Sequence, residues 1–185
     1  DCSQSRGLGD VYKRQRLAWL DTEITSSHLA LDNVQSEAAT NALLAQGISL
    51  FSPDVEIARA GQIADVEGNE LAKTPGFTAN LALTYTSPIG SWGDFEGSLS
   101  YTHRGDFRHR IFNNPITDEV DGYDTIDLVL RFSPTDANWR VELIGKNLTD
   151  EDGINARFTD VFGVGATGDQ FIPPRVLMAR VGIDF

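Results

Sequence analysis

The sequence predicts an all-β fold of about six up-and-down antiparallel strands, arranged as a curved open sheet that belongs to a transmembrane β-barrel. Three observations predict it: apolar and polar residues alternate along six segments, the connections between them alternate in length, and aromatic residues recur at one end of the strands. Polar residues interrupt every apolar run, so no stretch reaches the roughly 18 residues of a membrane-spanning helix. The sequence therefore favours a membrane protein built from strands.

The alternation is clearest in residues 123–132. Ile126 and Leu128 there alternate with Thr125 and Asp127, so one face is apolar and the other polar. Several such segments approach about ten residues, the length that a tilted strand needs to cross a bilayer. The predicted strands are 16–25, which has the weakest pattern, and 77–85, 95–105, 123–132, 139–148 and 174–185.

The connections between these strands alternate in length. Two are short and rich in turn residues, 87–93 and 133–138, and three are long, 26–76, 106–122 and 149–174. Membrane barrels have short periplasmic turns and long extracellular loops. The long connections are therefore predicted to lie outside the cell. Within the first, residues 36–47 predict a short helix with Ser36 as N-cap and Gly47 as the C′ residue.

Aromatic residues occur at the strand ends next to the short connections. Amphipathic rings favour the boundary between lipid and water, so these residues predict a periplasmic aromatic girdle. The alternative is that they are core residues of a soluble sandwich. The predicted girdle consists of Tyr85, Phe95, Phe132, Trp139 and Phe185.

Residues 1–15 show neither alternation nor a helical pattern, and they resemble a translated sequencing adapter more than native protein. We therefore interpret 1–15 as a non-native or disordered segment and 16–185 as the barrel strands. The segment contains Cys2, the only cysteine. The chain has a net charge of −12 and no basic cluster, which argues against nucleic-acid binding.

The sequence offers little for catalysis. The three histidines, His28, His103 and His109, lack the spacing of a metal site, and no cofactor motif or nucleophile elbow occurs, so we predict that the chain is not an enzyme. Acidic residues near 118–124 and 150–152 could bind Ca²⁺, but they lack the spacing of a calcium loop, and solvation is the simpler interpretation.

A basic segment at the start of the second long connection is the one candidate ligand contact. The side chains could bind an anionic ligand or a lipid phosphate, although a strand end followed by a solvated basic loop is the favoured explanation. The candidate residues are Arg104, Arg108, His109 and Arg110.

Four blocks of the sequence resemble the C-terminal barrel of TonB-dependent outer-membrane receptors. They are DVEGNELAKTPGFTANLALTY (65–85), YDTIDLVLRFSP (123–134), WRVELIGKNLTDED (139–152) and PPRVLMARVGIDF (173–185). The resemblance implies a 22-stranded barrel with an N-terminal plug and a TonB box, both expected upstream of Arg16. It implies import of a scarce nutrient, such as a ferric siderophore or cobalamin, across the outer membrane of a Gram-negative cell.

The resemblance also implies partners: outer-membrane lipid and lipopolysaccharide, the TonB complex through the plug, a small-molecule or metal-chelate ligand, and the barrel-assembly machinery. The last strand resembles the signal that this machinery binds, through Val181, Ile183 and Phe185, although Arg180 stands where a small residue is usual. Two alternatives remain: a porin-like or adhesin barrel that does not use TonB, and a soluble β-sandwich that binds carbohydrate.

Overall fold

The computed structural model describes residues 9–159 and 166–183 of the chain. The described ranges contain twelve strands and two helices. In chain order they are β1 (Asp10–Trp19), β2 (Leu29–Leu31), α1 (Asn33–Ala45), α2 (Pro53–Ala60), β3 (Ile63–Asp65), β4 (Phe77–Ile89), β5 (Gly93–Arg104), β6 (Phe107–Arg108), β7 (Glu119–Val120), β8 (Tyr123–Pro134), β9 (Trp139–Lys146), β10 (Ile154–Thr159), β11 (Thr167–Phe171) and β12 (Val176–Ile183).

Six of the described strands form one antiparallel sheet in the order β1-β4-β5-β8-β9-β12. Neighbours in the sheet are also successive long strands in the chain, which is the up-and-down connectivity that the sequence predicts. The edge strands β1 and β12 are not paired with each other, so the sheet is open. The prediction of an antiparallel barrel fragment is confirmed.

The register places apolar residues of neighbouring strands side by side on one face, which we call the outward face. One row consists of Leu83, Leu99, Leu128, Gly145 and Leu177. These side chains remain accessible: Leu99 is 44% exposed and Leu177 72%. Soluble proteins rarely leave a contiguous apolar surface of this extent uncovered. The outward face therefore has the character of a surface that contacts lipid.

The opposite face, the inward face, is mainly polar. Asn80 donates to Thr102, Thr84 bonds to Ser98, and Lys146 contacts Asp127 at 2.7 Å. The other described sheets have only two strands each, and all lie in the long connections, so no second layer covers the main sheet within the described residues. A β-sandwich requires two packed sheets, and the described part of the chain has one.

Strand boundaries differ from the prediction most at the first strand, which is Asp10–Trp19 and not 16–25. Its ladder with β4 ends at Trp19, although the Leu20 N–H still donates to the carbonyl of Gly76, the next position in the same register. The described boundaries of the other main strands differ from the prediction by only a few residues. No described helix is long and apolar enough to cross a membrane.

Residues 10–15 pair with β4 through their backbones. On the outward face this pairing sets Lys13 beside Leu83 and Gln15 beside Leu81, whereas Leu17 and Trp19 fit the apolar pattern beside Ala79 and Phe77. Backbone pairing does not depend on side-chain type, so the interpretation of 1–15 as non-native stays a prediction.

The long connections are more ordered than the sequence suggests. We call them loop 1 (20–76), loop 2 (105–122) and loop 3 (147–175). Each contains a short hairpin, β2-β3, β6-β7 and β10-β11 respectively, which the sequence analysis missed. Most of the buried apolar residues in the described chain also lie there: Val55 and Val66 in loop 1, and Phe107 and Val120 in loop 2.

Loop 1 contains both helices. The predicted helix begins earlier than expected, at Asn33, because the Asp32 carboxylate and not Ser36 accepts the backbone N–H groups of Val34 and Gln35. Gly47 follows the helix with φ +80°, as a C′ glycine does. The second helix, α2, was not predicted. It is short, and Ser52 caps it ahead of Pro53.

Candidate functional site at the loop end of the sheet

All three loops leave the same end of the main sheet, opposite the short turns after β4 and β8. They contact one another rather than project separately. Loop 1 joins loop 2 where the Lys73 N–H donates to the Arg108 carbonyl at 2.7 Å, and the Asn69 side chain donates to the Ile111 carbonyl at 2.8 Å. Loop 2 therefore lies between the other two loops.

Arg110 of loop 2 forms the strongest link to loop 1. Its Nη1 donates to Asp32 at 2.6 Å and its Nε to Asp118 at 2.7 Å. Asp118 is fully buried and Asp32 is 5% exposed. The guanidinium thus neutralises two carboxylates that water scarcely reaches, and one of them is the N-cap of α1. Arg110 fixes loop 2 against the start of this helix.

Arg157 joins loop 3 to loop 2. Its guanidinium binds both carboxylate oxygens of Asp169 across the β10-β11 hairpin, at 2.6 and 3.0 Å, and donates to the Glu119 carbonyl at 2.8 Å. The Arg157 hydrogen bond lowers the pKa of Asp169, and Asp169 raises the pKa of Arg157. Arg157 thus reinforces the β10-β11 hairpin and forms the first of two contacts between loop 3 and loop 2.

His109 lies at the second contact between loops 2 and 3. It is 7% exposed, its Nε2 is 3.2 Å from the Thr159 hydroxyl, and its buried Nδ1 has no hydrogen-bond partner. Burial lowers the pKa of His109 below its ordinary value of 6.5, and the charge of Lys73 adds to the effect. The imidazole is therefore held neutral between the loops.

Asn147 joins the two ends of loop 3. Its side-chain nitrogen donates to the carbonyls of Glu151, near the start of the loop, and of Pro173, near its end, at 2.9 and 3.0 Å. Its oxygen accepts from the Glu151 N–H, and its backbone adopts a left-handed φ of 47°. Asparagine is among the few residues other than glycine that adopt this conformation readily. Asn147 therefore closes loop 3 at the rim of the sheet.

The predicted ligand contacts all bind protein groups. Arg104 donates to the Asn155 carbonyl and stacks on Phe107 at 4.3 Å, and Arg108 pairs with Glu119 at 2.7 Å, which raises its pKa. His109 and Arg110 are buried as described. The structure thus brings the four residues into the contacts between loops, and ligand binding by them stays a prediction.

The described residues of the predicted girdle share the outward face at the short-turn end. Phe95 lies directly opposite Phe132, and the rings of Phe132 and Trp139 are 6.2 Å apart. Tyr85 lies beside Gly97 in the next outward row. Phe185, which belongs to both the predicted girdle and the predicted assembly signal, lies outside the described residues. Val181 and Ile183 are exposed on the outward face of β12. Their role in assembly stays a prediction.

A second aromatic cluster, which the sequence analysis missed, lies on the outward face at the loop end. Trp19 and Phe77 are 5.0 Å apart, Phe77 and His103 are 5.5 Å apart, and His103 pairs with Asp124. The sequence signal was present, since these rings continue the period of the apolar stripe. We assigned Trp19 to a weak strand and left Phe77 and His103 outside any girdle.

The inward face has a ladder of alternating charges near the short turns. Arg131 lies between Glu96 at 3.1 Å and Glu142 at 2.8 Å, and Arg180 contacts the same Glu142 at 3.3 Å. Nearer the loops, a groove of about 370 Å³ runs along this face. Tyr123, the Asp127–Lys146 pair and Met178 contribute to its lining. A polar wall with such a groove suits a hydrated lumen.

The acidic residues do not assemble into a metal site. Within residues 9–159 and 166–183, no three His, Cys, Asp or Glu side chains are grouped to hold an ion. Asp118 binds Arg110, and Asp150 binds Arg175. Calcium binding by the loops was left open on the sequence and stays untested.

Comparison with known proteins gives one match. A family model described as "TonB dependent receptor-like, beta-barrel" matches residues 37–148, which span loop 1 through β9. No curated protein and no solved structure matches the chain.

Proposed function

Because this chain belongs to the family of TonB-dependent receptor-like β-barrels, we propose that it forms part of the wall and the outer loops of a receptor that imports a scarce nutrient across the outer membrane. The family consists of transporters and not enzymes. The observation that carries the proposal is the division of the main sheet into an apolar outward face and a polar inward face, with all three long loops at one end.

The dimensions of the outward face support membrane insertion. From Phe95 to His103, at about 3.4 Å per residue, β5 covers roughly 27 Å. A strand tilt of about 40° reduces this to roughly 21 Å, close to the 25 Å apolar band of outer-membrane barrels. Aromatic clusters lie at both ends of this span, as they do at the two interfaces of such barrels.

The open sheet supports membership of a larger barrel. An unpaired strand in lipid leaves N–H and C=O groups without partners, and each such group costs several kcal/mol. About eight strands are needed for a filled barrel, whereas the described sheet has six. We propose that β1 and β12 pair with further strands of the same receptor.

For the ligand, we propose a metal chelate such as a ferric siderophore, or cobalamin, captured by loops 1 to 3. The proposal rests on the family and on the loops' position at one end of the lumen. The inward face near the loops offers hydroxyl, carboxylate and ammonium groups beside apolar side chains. Such a lining suits a large polar ligand with apolar parts.

Uptake tests this function. The complete gene is expressed in cells with and without an active TonB complex, and growth is scored on a panel of ferric chelates under iron limitation and on cobalamin in an auxotroph. We expect growth on at least one compound that requires both the gene and TonB. Growth that requires the gene but not TonB would indicate a porin-like barrel. Failure on every compound would contradict the proposed ligand class.

A further inference from the structure

We propose that His109 is a pH-sensitive latch between loops 2 and 3, which holds the two loops together while the imidazole is neutral and releases loop 3 when it is protonated. The device concerns loop movement alone, so its failure would leave the proposed transport function standing. It rests on the position of His109 at the contact between the loops, its burial, and the lack of any acceptor at Nδ1.

The surroundings of the ring favour its neutral form, through Nδ1 and not through Nε2. With its proton on Nε2, the ring donates to the Thr159 hydroxyl, which can in turn bond to the Thr167 hydroxyl at 3.2 Å. The Nδ1 atom then has no hydrogen-bond partner among the described residues. Protonation would place an N–H on this atom, buried and without an acceptor. A buried donor without an acceptor is unfavourable, and more so when it is charged.

The charges around His109 also oppose protonation. Lys73 of loop 1, Arg110 of loop 2 and Arg157 of loop 3 all act against a charged imidazole, whereas Asp118 of loop 2 favours it. Asp169 of loop 3 also interacts with His109. Both carboxylates already bind arginines, Asp118 through Arg110 and Asp169 through Arg157. A protonated His109 would therefore be a further cation in a region whose acids are already neutralised.

The direction of the pH dependence follows from the lowered pKa. Released into water, His109 would have its ordinary pKa of 6.5, which lies above its value in the closed loops. The open state then binds the proton more tightly, so the closed state is favoured fully above pH 6.5 and progressively less as the pH falls below it. Separation of loop 3 from loop 2 is thus expected under acid and not under alkaline conditions.

Of the contacts that join the loops, only the contact between His109 and Thr159 is expected to respond to acid. The Arg157–Asp169 pair keeps the β10-β11 hairpin intact, because Asp169 has a lowered pKa and stays ionised in mild acid. Arg110 likewise keeps its ion pairs with Asp32 and Asp118. Arg157 also keeps its bond to the Glu119 carbonyl of loop 2. Loop 3 is therefore expected to swing as a folded hairpin about Arg157, so that its His109 contact opens while loops 1 and 2 remain joined.

The distance between loops 2 and 3 tests the latch in the complete receptor in outer-membrane vesicles. Spin labels are placed at Ile116 and Phe171, which are 88% and 57% exposed, in a Cys2→Ser background. Distances are measured at about pH 7.5 and about pH 5, on either side of the usual histidine range. We expect one narrow distribution at the higher pH and a longer, broader one at the lower, with recovery when the pH is raised.

Three variants complete the test. His109→Gln and His109→Asn keep a hydrogen-bonding group but cannot be protonated, so at least one should keep the short distance at both pH values. His28→Gln removes an exposed histidine of loop 1 and should respond like the unmodified receptor. An unmodified receptor whose distance does not change with pH would overturn the latch. So would opening in acid by both His109 variants, or a His28 variant that does not open.

Discussion

Arg110 is the residue on which the arrangement of loops 1 and 2 depends most. Asp32 and Asp118 are both buried, and Arg110 is the cation that each contacts. Removal of one partner from a buried ion pair typically costs about 3–5 kcal/mol, because the remaining charge is left uncompensated. The corresponding cost for an exposed pair is only about 0–1 kcal/mol.

We therefore predict that Arg110→Ala loosens loops 1 and 2 strongly, whereas Arg108→Ala, two residues away, changes little. Arg108 pairs with Glu119 at a site where both side chains are partly exposed. Hydrogen exchange of the backbone amides of α1 and β7 measures the effect. Equal protection in the two variants would contradict the role assigned to the buried pair.

Two variants of Asn147 separate what its backbone conformation and its side-chain hydrogen bonds contribute to the stability of loop 3. Asn147→Ala loses the side-chain bonds to Glu151 and Pro173 and also places a Cβ-bearing residue at φ 47°, whereas Asn147→Gly loses only the bonds. We predict that both variants expose loop 3 to protease, and that alanine is less stable than glycine by about 1 kcal/mol. Cleavage within loop 3 no faster than in the unmodified receptor would contradict the closing role of Asn147.

The sequence could not have revealed these roles. Arg110 and Asp32 are 78 positions apart, and His109 and Thr159 are 50 apart, so only the tertiary arrangement of the loops brings them together. The basic segment was visible as charge, but charge alone does not distinguish a ligand contact from an internal ion pair. Asn147 left a fainter signal, since it lies near the end of the predicted strand 139–148 and asparagine favours turns.

At the scale of one strand, a lysine introduced on the outward face of β5 should affect stability differently from a lysine on its inward face. Leu99 lies on the outward face among leucines, and Ser98 lies on the inward face beside Thr84. We predict that Leu99→Lys destabilises the receptor by about 2–4 kcal/mol, the cost of a lysine at the lipid midplane. Ser98→Lys should stay within roughly 0.5 kcal/mol of the unmodified protein.

The measurement is reversible unfolding of the complete receptor from phospholipid vesicles with guanidinium. The two positions are adjacent in the same strand, so propensity and depth in the membrane are nearly matched. A similar cost at both positions, or a larger one at Ser98, would show that the outward face does not contact lipid.

Strand β1 offers a test of residues 1–15. Its outward positions are apolar at Val11, Leu17 and Trp19 but polar at Lys13 and Gln15, although these two lie beside Leu83 and Leu81. A membrane strand should continue the apolar pattern. We predict that the genomic sequence before Arg16 differs from the present residues and encodes apolar side chains opposite Leu83 and Leu81. A genome that encodes residues 1–15 unchanged would refute this.

Element prediction succeeded where one face of a strand meets a uniform environment, because period-two alternation then persists along the strand. This holds for β4, β5, β8, β9 and β12. Prediction of the elements failed for the loop hairpins and for α2. The strands of the loop hairpins have two to six residues, too few for a period, and α2 combines a weak pattern with a short length.

At the scale of the whole molecule, the main sheet and the loops are stabilised in different ways. The sheet holds together through backbone pairing, with its apolar face uncovered, whereas the loops contain most of the buried apolar residues and the buried ion pairs. A sheet of this kind suits a membrane, because lipid takes the place of a protein core. The loops pack through their own buried residues and ion pairs and do not need lipid for this packing.

The central claim is that the sheet spans the outer membrane with its leucine rows in lipid. A nitroxide scan of β5, one residue at a time from Glu96 to His103 in the complete receptor in vesicles, tests it most directly. We predict that collision with oxygen, which concentrates in lipid, peaks at Gly97, Leu99 and Tyr101. Collision with a water-soluble nickel chelate should peak at Ser98, Ser100 and Thr102. Equal exposure of both sets to the chelate, or no alternation between them, would contradict the account.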